Sequence, residues 1–492
     1  MNTILTKEGY LIEKRTCNEE LLKSIRDDLT VEPYLPFNYG ANDADVATFC
    51  VYRETYKYLS VPKFYGIEKL GQPKLNKEIE GEIIDFEFKG DLRPEQKEIT
   101  KIIIPKLTKD DGGVLCLGCG QGKTVLGIYI GFHFKVKVLV IVHKSFLLNQ
   151  WKERINQFTN ARVGIIQQNK IETDGCQIVI GMLQSIAKDK YDPEIFKDFG
   201  LVIFDEAHHA PSQYFSQALP LINCKKTLAL SATPKRSDRL EKVLHWYFGP
   251  TIYENKTNDK TNVIVKIFMY KIEHEKFIEK MQRFTGQVNR AGTISNIVTI
   301  GRRNKFIIDM LEDILTDKHR KILILSERIE HLNLLKTRLD SRNITTSGLY
   351  VGGMKQAHLD ESAKKTVIFG TFHMASEALD IKGLNTLIMA TGRREIEQTI
   401  GRITRDPNSS IVPMVVDIVD DLPSFVSQGN YRRNYYKKNG YEVFVSDVIN
   451  NIVSEEKKIS FTKCFTPYNN NNYNNDNSYN KPKPIDASEF MD

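Results

Sequence analysis

The sequence has few of the features that mark secreted or membrane proteins. Seven cysteines are spread over 492 residues, and an odd, sparse set of this kind argues against a disulfide framework. No apolar run reaches the roughly 18 residues that a membrane span needs. Residues 1–7 also lack the basic and apolar segments of a signal peptide. The sequence therefore predicts a soluble, intracellular protein that has no membrane partner.

A strong charge of one sign is also lacking. The chain has 69 Lys and Arg against 62 Asp and Glu, which gives a formal net charge of +7. Hydrophobic residues make up 41%, an ordinary value for a globular protein. A mild positive balance permits binding to nucleic acid but does not establish it. At 492 residues the chain is too long for one core, so two or three domains are expected.

Short apolar segments alternate with helical segments in two blocks of the chain. In the first block the predicted strands lie at Val114, Val138–Val142, Val163–Ile166, Ile178–Ile180, Leu201–Phe204 and Thr227–Leu230. In the second block they lie at Ile322–Leu325, Thr366–Phe369, Leu387–Ala390 and Met414–Ile418. This alternation favours two α/β domains, each built on a parallel sheet covered by helices.

The composition between and beyond these blocks sets the predicted boundaries. They are an N-terminal accessory region at 1–85, a first α/β domain at 86–255, a second at 256–440 and a C-terminal extension at 441–492. The polar segment Glu254–Asn262 is predicted to be a linker. Residues 468–492 are rich in Asn and are predicted to be disordered, because they cannot bury enough apolar surface to fold.

A glycine-rich loop follows the first predicted strand. Residues 117–124 read Leu-Gly-Cys-Gly-Gln-Gly-Lys-Thr and lead into a predicted helix, which is the context of a phosphate-binding loop. Lys123 would reach the β- and γ-phosphates, and Thr124 would ligate Mg²⁺. Leu117 replaces the usual first glycine, and a simple glycine-rich turn is the alternative for the loop alone. The predicted nucleotide contacts are Gly118, Cys119, Gly120, Gln121, Gly122, Lys123 and Thr124.

An acidic motif follows a later predicted strand. The strand at 201–204 runs directly into Asp205-Glu206-Ala207-His208. Asp205 stands at the carboxyl end of the strand, where it can hold Mg²⁺, and Glu206 can polarise a water molecule. Since the loop and the acidic motif occur in this order, they predict two parts of one site that hydrolyses ATP.

Four further residues are predicted to complete the site. Arg402 and Arg405 are three residues apart, so one helical face could present both to a γ-phosphate as arginine fingers. A solvated basic helix is the alternative. Asp380 is predicted near the nucleotide sugar, with a helix cap or a surface acid as the alternative. Gln96 could pair with adenine, although a lone Gln on a helix is usually solvated.

Six motifs in order resemble the motor core of superfamily 2 helicases of the Asp-Glu-Ala-His type, over about residues 88–440. The resemblance implies two tandem RecA-like domains, ATP and Mg²⁺ as cofactors, and the roles given above for the lysine, threonine, acids and arginines. The glycine-rich loop is most similar to those of the helicase subunit of the general transcription and repair factor and of the transcript-release helicases of poxviruses and other large DNA viruses. The motifs are Leu92–Gln96, Leu117–Thr124, Val140–Trp151, Asp205–His208, Ser231–Thr233 and Gln398–Arg405.

This resemblance implies an ATP-dependent helicase or translocase that acts on DNA and serves transcription, with the transcription machinery as a partner and a virion or viral factory as its location. An RNA helicase, the motor subunit of a restriction system and a nucleotide-gated clamp that never hydrolyses ATP are the alternatives. The predicted nucleic-acid contacts are His143, Lys144, Ser145, Gln184, Ser185 and Thr371, with weaker candidates at 302–305 and 431–438. A half-buried amphipathic helix is the alternative for 431–438.

Overall fold

The computed structural model describes most of the chain up to residue 458. The described residues are 1–33, 48–118, 120–188, 191–212, 214–232, 240–255, 262–283, 285–377, 381–404 and 410–458. Several predicted features lie outside these ranges, namely the tail at 468–492, most of the linker, Cys119, Thr233, Asp380 and Arg405. Within the described part of the chain, no helix has the length and hydropathy needed to cross a membrane.

The N-terminal region forms a small sheet with two helices. Its elements are β1 (Thr3–Thr6), β2 (Gly9–Glu13), α1 (Glu19–Asp28), β3 (Thr30–Val31), β4 (Phe49–Cys50), β5 (Arg53–Glu54), β6 (Tyr58–Val61), α2 (Lys63–Leu70) and β7 (Leu75–Asn76). The strand order is β5-β6-β2-β1-β7, with β3 and β4 as a separate pair. Helix α1 begins after Asn18, whose side chain accepts a hydrogen bond from the backbone N–H of Leu21, as an N-cap residue commonly does.

The first α/β unit follows directly. Its elements are α3 (Pro94–Asp110), β8 (Gly112–Cys116), α4 (Lys123–Phe134), β9 (Val138–Val142), α5 (Ser145–Phe158), β10 (Val163–Gln167), β11 (Lys170–Ile171), β12 (Ile178–Met182), α6 (Leu183–Ile186), β13 (Leu201–Phe204), α7 (Leu219–Ile222), β14 (Lys226–Ser231), α8 (Glu241–Phe248) and β15 (Thr251–Glu254). The strand order is β11-β10-β12-β9-β13-β14-β8-β15. Every neighbouring pair is parallel except β10 with β11, which confirms the predicted parallel sheet.

The second α/β unit has its own sheet. Its elements are β16 (Ile264–Lys271), α9 (Arg290–Ile297), α10 (Gly301–Leu315), β17 (Ile322–Ser326), α11 (Ile329–Asp340), β18 (Ser347–Tyr350), α12 (Gln356–Ala363), β19 (Val367–Thr371), α13 (Phe372–Glu377), β20 (Thr386–Met389), α14 (Glu397–Ile400), β21 (Met414–Asp420), α15 (Pro423–Lys438), β22 (Glu442–Ile449), β23 (Ile452–Val453) and β24 (Lys457–Lys458). The strand order is β18-β19-β17-β20-β21-β16-β22-β23, and β24 pairs with β22. From β18 to β22 all pairs are parallel, so the second parallel sheet is confirmed as well.

The two ends of the chain are more closely joined to these units than the sequence predicts. Tyr10 in the N-terminal sheet and Phe204 in β13 belong to one hydrophobic cluster. The buried Lys63 ammonium donates hydrogen bonds to Glu78 at 2.7 Å and to the backbone carbonyl of Lys225 at 3.0 Å. At the other end, β22 pairs with β16 along its whole length, so the sheet continues beyond the predicted boundary at residue 440.

The central strands of the first unit bring their carboxyl ends to one edge of the sheet. Strand β9 is Val-Leu-Val-Ile-Val and is buried throughout, as expected for a parallel strand covered on both faces. Its neighbours β12 and β13 run in the same direction, and β14 and β8 follow beside β13. This edge therefore carries Leu117, His143, Gln184, Asp205 and Ser231, each just beyond or at a strand end.

Two arginines from the weaker nucleic-acid candidates are instead buried in the second unit. Arg303 forms two hydrogen bonds to the carboxylate of Asp420, at 2.7 and 2.9 Å. Arg432 forms two to Asp417, both at 2.8 Å. All four side chains have at most 1% of their surface exposed. The predicted nucleic-acid contact is wrong for these arginines, because their guanidinium groups are needed to neutralise buried carboxylates.

Replacing Asp417 by Asn should destabilise the protein by about 3–5 kcal/mol, because the variant leaves the buried Arg432 charge without its anion. The free energy of unfolding in urea measures the effect. Asp313→Asn on the exposed face of α10 is the matched control, with an expected change within about 0.5 kcal/mol. Equal stability of the two variants would contradict the structural role of the Arg432–Asp417 pair.

Candidate active site

The glycine-rich loop joins the end of β8 to the start of α4. Gly120 and Gly122 have φ angles of 82° and 77°, in the left-handed region that glycine adopts without strain. A Cβ atom on Gly122 would lie only 2.2 Å from Nε2 of Gln96. Glycine is therefore favoured at residue 122 by the backbone conformation, whereas the flexible end of the Gln96 side chain could move away from a Cβ atom.

The loop is closed on itself by side-chain hydrogen bonds. The backbone N–H of Gly118 donates to Oε1 of Gln121 at 2.8 Å, and Nζ of Lys123 donates to the carbonyl of Leu117 at 3.2 Å. The Leu117 N–H in turn donates to the carbonyl of Ser231 at 3.0 Å. Leu117 itself is buried in the core beneath the loop. Leucine thus replaces the usual glycine without loss of the loop, because its side chain extends the apolar surface of β8.

Gln96, which the sequence predicts to pair with adenine, lies against the phosphate loop. It is buried in the first turn of α3, where Oε1 accepts a hydrogen bond from the backbone N–H of Arg93 at 3.0 Å. Its Nε2 donates to the carbonyls of Gln121 and Gly122, both at 3.4 Å. The carboxamide therefore connects the start of α3 to the phosphate loop.

Asp205 is held at the end of β13 by two hydrogen bonds. Nε1 of Trp151 donates to Oδ2 at 2.8 Å, and the backbone N–H of Glu206 donates to Oδ1 at 3.0 Å. Burial, and then the adjacent Glu206 carboxylate, raise the pKa of Asp205 to about 6. Trp151 is fully buried. The sequence places it at the end of a motif without giving it a role, since nothing local shows that its indole reaches residue 205.

Glu206 has the opposite electrostatic environment. Its Oε1 is 3.7 Å from Nζ of Lys123, and its Oε2 is 3.4 Å from Nδ1 of His208. Burial alone would raise its pKa, but the positive charges of Lys123, then His208 and Arg402, hold the pKa below its ordinary value. Its φ angle of 48° is left-handed, a strained conformation for a residue with a side chain and one that is concentrated at functional sites.

A group of histidines surrounds the acidic motif. Nδ1 of His208 is 3.4 Å from Oγ of Ser231, which gives Ser231 the predicted position beside this motif. The ring of His209 packs between those of His208 and His143, with centroid distances of 4.3 and 4.1 Å and interplanar angles of 40° and 39°. The sequence predicts His143 as a nucleic-acid contact and does not predict this packing, because residues 143 and 209 meet only through the pairing of β9 with β13.

Among the described residues, the second unit reaches this edge through Arg402 and His373. Arg402, just after α14, lies close enough for its charge to act on Glu206. Nζ of Lys144 is 2.6 Å from Nε2 of His373 in α13. Thr371, a predicted nucleic-acid contact, ends β19 two residues before that histidine. The structure thus brings Lys123, Asp205, Glu206 and Arg402 together.

The residues predicted to bind Mg²⁺ fit that ion. Thr124 is the second residue of α4 and is partly exposed beside the loop. Each oxygen of Asp205 accepts one hydrogen bond, which leaves lone pairs for a metal. Among the described residues, no group of three or more His, Cys, Asp or Glu side chains could hold a metal ion. Mg²⁺ is usually held by one or two carboxylates together with substrate phosphates and water.

Comparisons with known proteins place the chain among helicases. The family described as "Type III restriction enzyme, res subunit" matches residues 89–236. "Putative ATP-dependent RNA helicase L396" of Acanthamoeba polyphaga mimivirus is 39% identical over 452 residues, which cover 90% of this chain and 86% of that protein. "Putative helicase 161L" of Invertebrate iridescent virus 6 is 26% identical, over 82% of this chain and 92% of that protein. The crystal structure of T4 UvsW is 19% identical with a TM-score of 0.36, and the match covers 92% of this chain and 100% of that one.

Trp151→Phe should lower the turnover number for ATP by about tenfold or more, because a hydrogen bond to a charged group is worth about 1.5–3 kcal/mol. Steady-state ATP hydrolysis measures the loss. The chain has two tryptophans, and Trp246→Phe is the matched control because Trp246 is partly exposed and packs at the end of α8. Turnover by Trp151→Phe equal to that of the control would show that the indole does not position Asp205.

Proposed function

This chain belongs to the ATP-dependent helicases of superfamily 2, and from that premise we propose that it is a motor acting on DNA in the service of transcription. The observation that carries the motor itself is the meeting of two units around one carboxylate, whereas DNA and transcription are favoured by the similarity of residues 117–124 to the loops of transcription-associated helicases. Lys123 of the phosphate loop approaches Glu206 at 3.7 Å, and the charge of Arg402 reaches the same group from the second unit. A site divided in this way can couple ATP to the closing of a cleft between two RecA-like domains.

Each residue of the site has a proposed role in ATP hydrolysis. Lys123 binds the β- and γ-phosphates, while backbone N–H groups of residues 118–124 surround the phosphate oxygens. Thr124 and Asp205 hold Mg²⁺, which when bound offsets phosphate charge. Glu206 takes a proton from the attacking water. Its carboxylate lies 3.7 Å from Nζ of Lys123, the group proposed to bind the γ-phosphate, and this position supports the role because a general base has to lie close to the attacking water.

Residues from the second unit complete the proposed site. Arg402 and Arg405 stabilise the charge that develops on the γ-phosphate in the transition state. Asp380 is proposed to bind the nucleotide sugar. Gln96 is proposed to recognise adenine, which would require its Nε2 to exchange a hydrogen bond with the carbonyl of Gln121 or Gly122 for one with the base.

An RNA helicase remains the second candidate, and it is favoured by one specific observation. The mimivirus relative, 39% identical, carries "RNA helicase" in its name. The restriction-type alternative has the matching family description in its favour, but no nuclease motif stands beside the motor in this sequence. The ATPase chemistry is the same in all three proposals, so the nucleic acid that stimulates hydrolysis distinguishes them.

ATP hydrolysis should be stimulated more by DNA than by RNA of the same length and sequence. Single-stranded DNA, duplex DNA and RNA are added separately at saturating concentration, and the turnover number is compared at one fixed salt concentration, because phosphate contacts make binding depend strongly on salt. Stronger stimulation by RNA would replace the DNA proposal by the RNA alternative. No stimulation by any of the three would count against a nucleic-acid-coupled motor.

Glu206→Gln should bind ATP with nearly unchanged affinity and fail to turn it over, because the amide keeps the size of the side chain but cannot accept the proton. Equilibrium binding of a fluorescent ATP analogue and steady-state hydrolysis measure the two properties. Lys123→Ala is the comparison, since loss of the ammonium should weaken nucleotide binding as well. Wild-type turnover by Glu206→Gln would remove Glu206 from the chemistry.

A further inference from the structure

The dipeptide His143-Lys144 at the end of β9 contacts both sides of the cleft. The side chain of His143 points to the acidic motif of its own unit, and the side chain of Lys144 reaches the second unit. A side-chain hydrogen bond holds the dipeptide in place, because the amide of Gln184 donates to the backbone carbonyl of His143. Two neighbouring residues directly after β9 therefore connect the first α/β unit to the second.

On one side, His143 supports the acidic motif by ring packing. Its ring is 3% exposed, and among the described residues neither ring nitrogen forms a hydrogen bond. Burial, followed by nearby positive charge, lowers the pKa of His143 to about 2, so the ring is neutral. It packs on His209 at 4.1 Å, and His209 packs on His208 at 4.3 Å. His208 lies 3.4 Å from Glu206, which completes a continuous path of contacts.

On the other side, Lys144 bonds to His373 at 2.6 Å. An ammonium group can only donate, so Nε2 of His373 must be the acceptor and the ring proton must be on Nδ1. Burial and the charges of Lys144 and Arg393 lower the pKa of His373, which keeps this ring neutral and able to accept. The bond joins the end of β9 directly to the helix that follows β19.

We infer that His143-Lys144 is a positioning element that couples closure of the cleft to the orientation of Glu206. When the second unit approaches, His373 fixes Lys144 and with it the end of β9. The packed rings of His143, His209 and His208 then limit the movement of the Glu206 carboxylate. Coupling between sites requires a continuous physical path of this kind. The coupling role rests on the proposed role of Glu206 as general base.

The simplest competing explanation is that Lys144 binds a nucleic-acid phosphate and that its bond to His373 is incidental. The two explanations predict different measurements. A phosphate contact contributes to nucleic-acid affinity and to its salt dependence. A coupling contact instead changes how strongly saturating nucleic acid stimulates hydrolysis, with little change in affinity.

His373→Ala tests the bridge from the second unit, and the full-length chain is used throughout. The nucleic acid used is whichever of single-stranded DNA, duplex DNA and RNA stimulates the wild type most. ATP turnover is measured without it and at a saturating concentration of it, and its dissociation constant is measured as well. We expect the stimulation factor to fall about fivefold or more, a typical coupling between two sites, while turnover without nucleic acid is retained. His373→Gln should restore much of the stimulation, because an amide oxygen can accept a hydrogen bond from the Lys144 ammonium group. His358→Ala, an exposed histidine on α12, is the matched control and should change nothing.

A second pair of variants tests the packed rings. His143→Phe keeps a ring of similar size and should retain most of the stimulation, whereas His143→Ala removes the ring and should lose it. The coupling role is overturned if His373→Ala keeps full stimulation, or if it loses only affinity, which would indicate a phosphate contact. Equal losses in His143→Phe and His143→Ala would also overturn it. Failure of Glu206→Gln to stop turnover would instead refute the proposed function, so the two failures can be told apart.

Discussion

Parallel pairing of the central strands in the first unit is the constraint on which the site depends. Strands β9, β13, β14 and β8 are all parallel to their neighbours, so their carboxyl ends meet at one edge. Residues that are far apart in sequence then become neighbours. For example, Nε1 of Trp151 lies 2.8 Å from Oδ2 of Asp205. A shift in register of β13 by one residue would turn its side chains to the opposite face of the sheet. The acidic motif would then no longer face the phosphate loop.

Two adjacent carboxylates at this edge have opposite properties because their surroundings differ. Asp205 is buried beside an indole and a second carboxylate, and its pKa is raised to about 6. Glu206 is surrounded by Lys123, His208 and Arg402, and its pKa is lowered. Arg402 comes from the second unit, so the electrostatic environment of Glu206 depends on the relative position of the two units.

The sequence predicts the two parallel sheets and the phosphate loop because each of these features depends on a short run of neighbouring residues. The apolar run of β9 and the glycines of residues 118–122 each specify their own conformation. Contacts between segments that are distant in sequence cannot be predicted in this way. The bond from Trp151 to Asp205 and the buried pair of Arg432 with Asp417 have no local signal. The sequence of 431–438 is the same whether its arginines are exposed or buried. Only the position of Asp417 on β21 shows that Arg432 is buried in an ion pair.

The strand β22 was missed for a related reason. It follows α15 in a segment predicted to be an extension, and its alternation of polar and apolar residues is weak. Only its pairing with β16 over the full length of both strands shows that it belongs to the sheet. Its buried residues Val443 and Val448 become interpretable once that partner is known.

The shared hydrophobic core of the N-terminal region and the first unit determines which parts of the chain can move. Tyr10 and Leu59 pack in the same cluster as Phe204 and Phe248, directly behind the strand that carries Asp205. Removing residues 1–85 would therefore expose apolar surface beneath the acidic motif, and these segments should unfold together as one cooperative unit. Because this cluster joins the N-terminal region to the first unit, we expect the two to move as one body when the cleft closes.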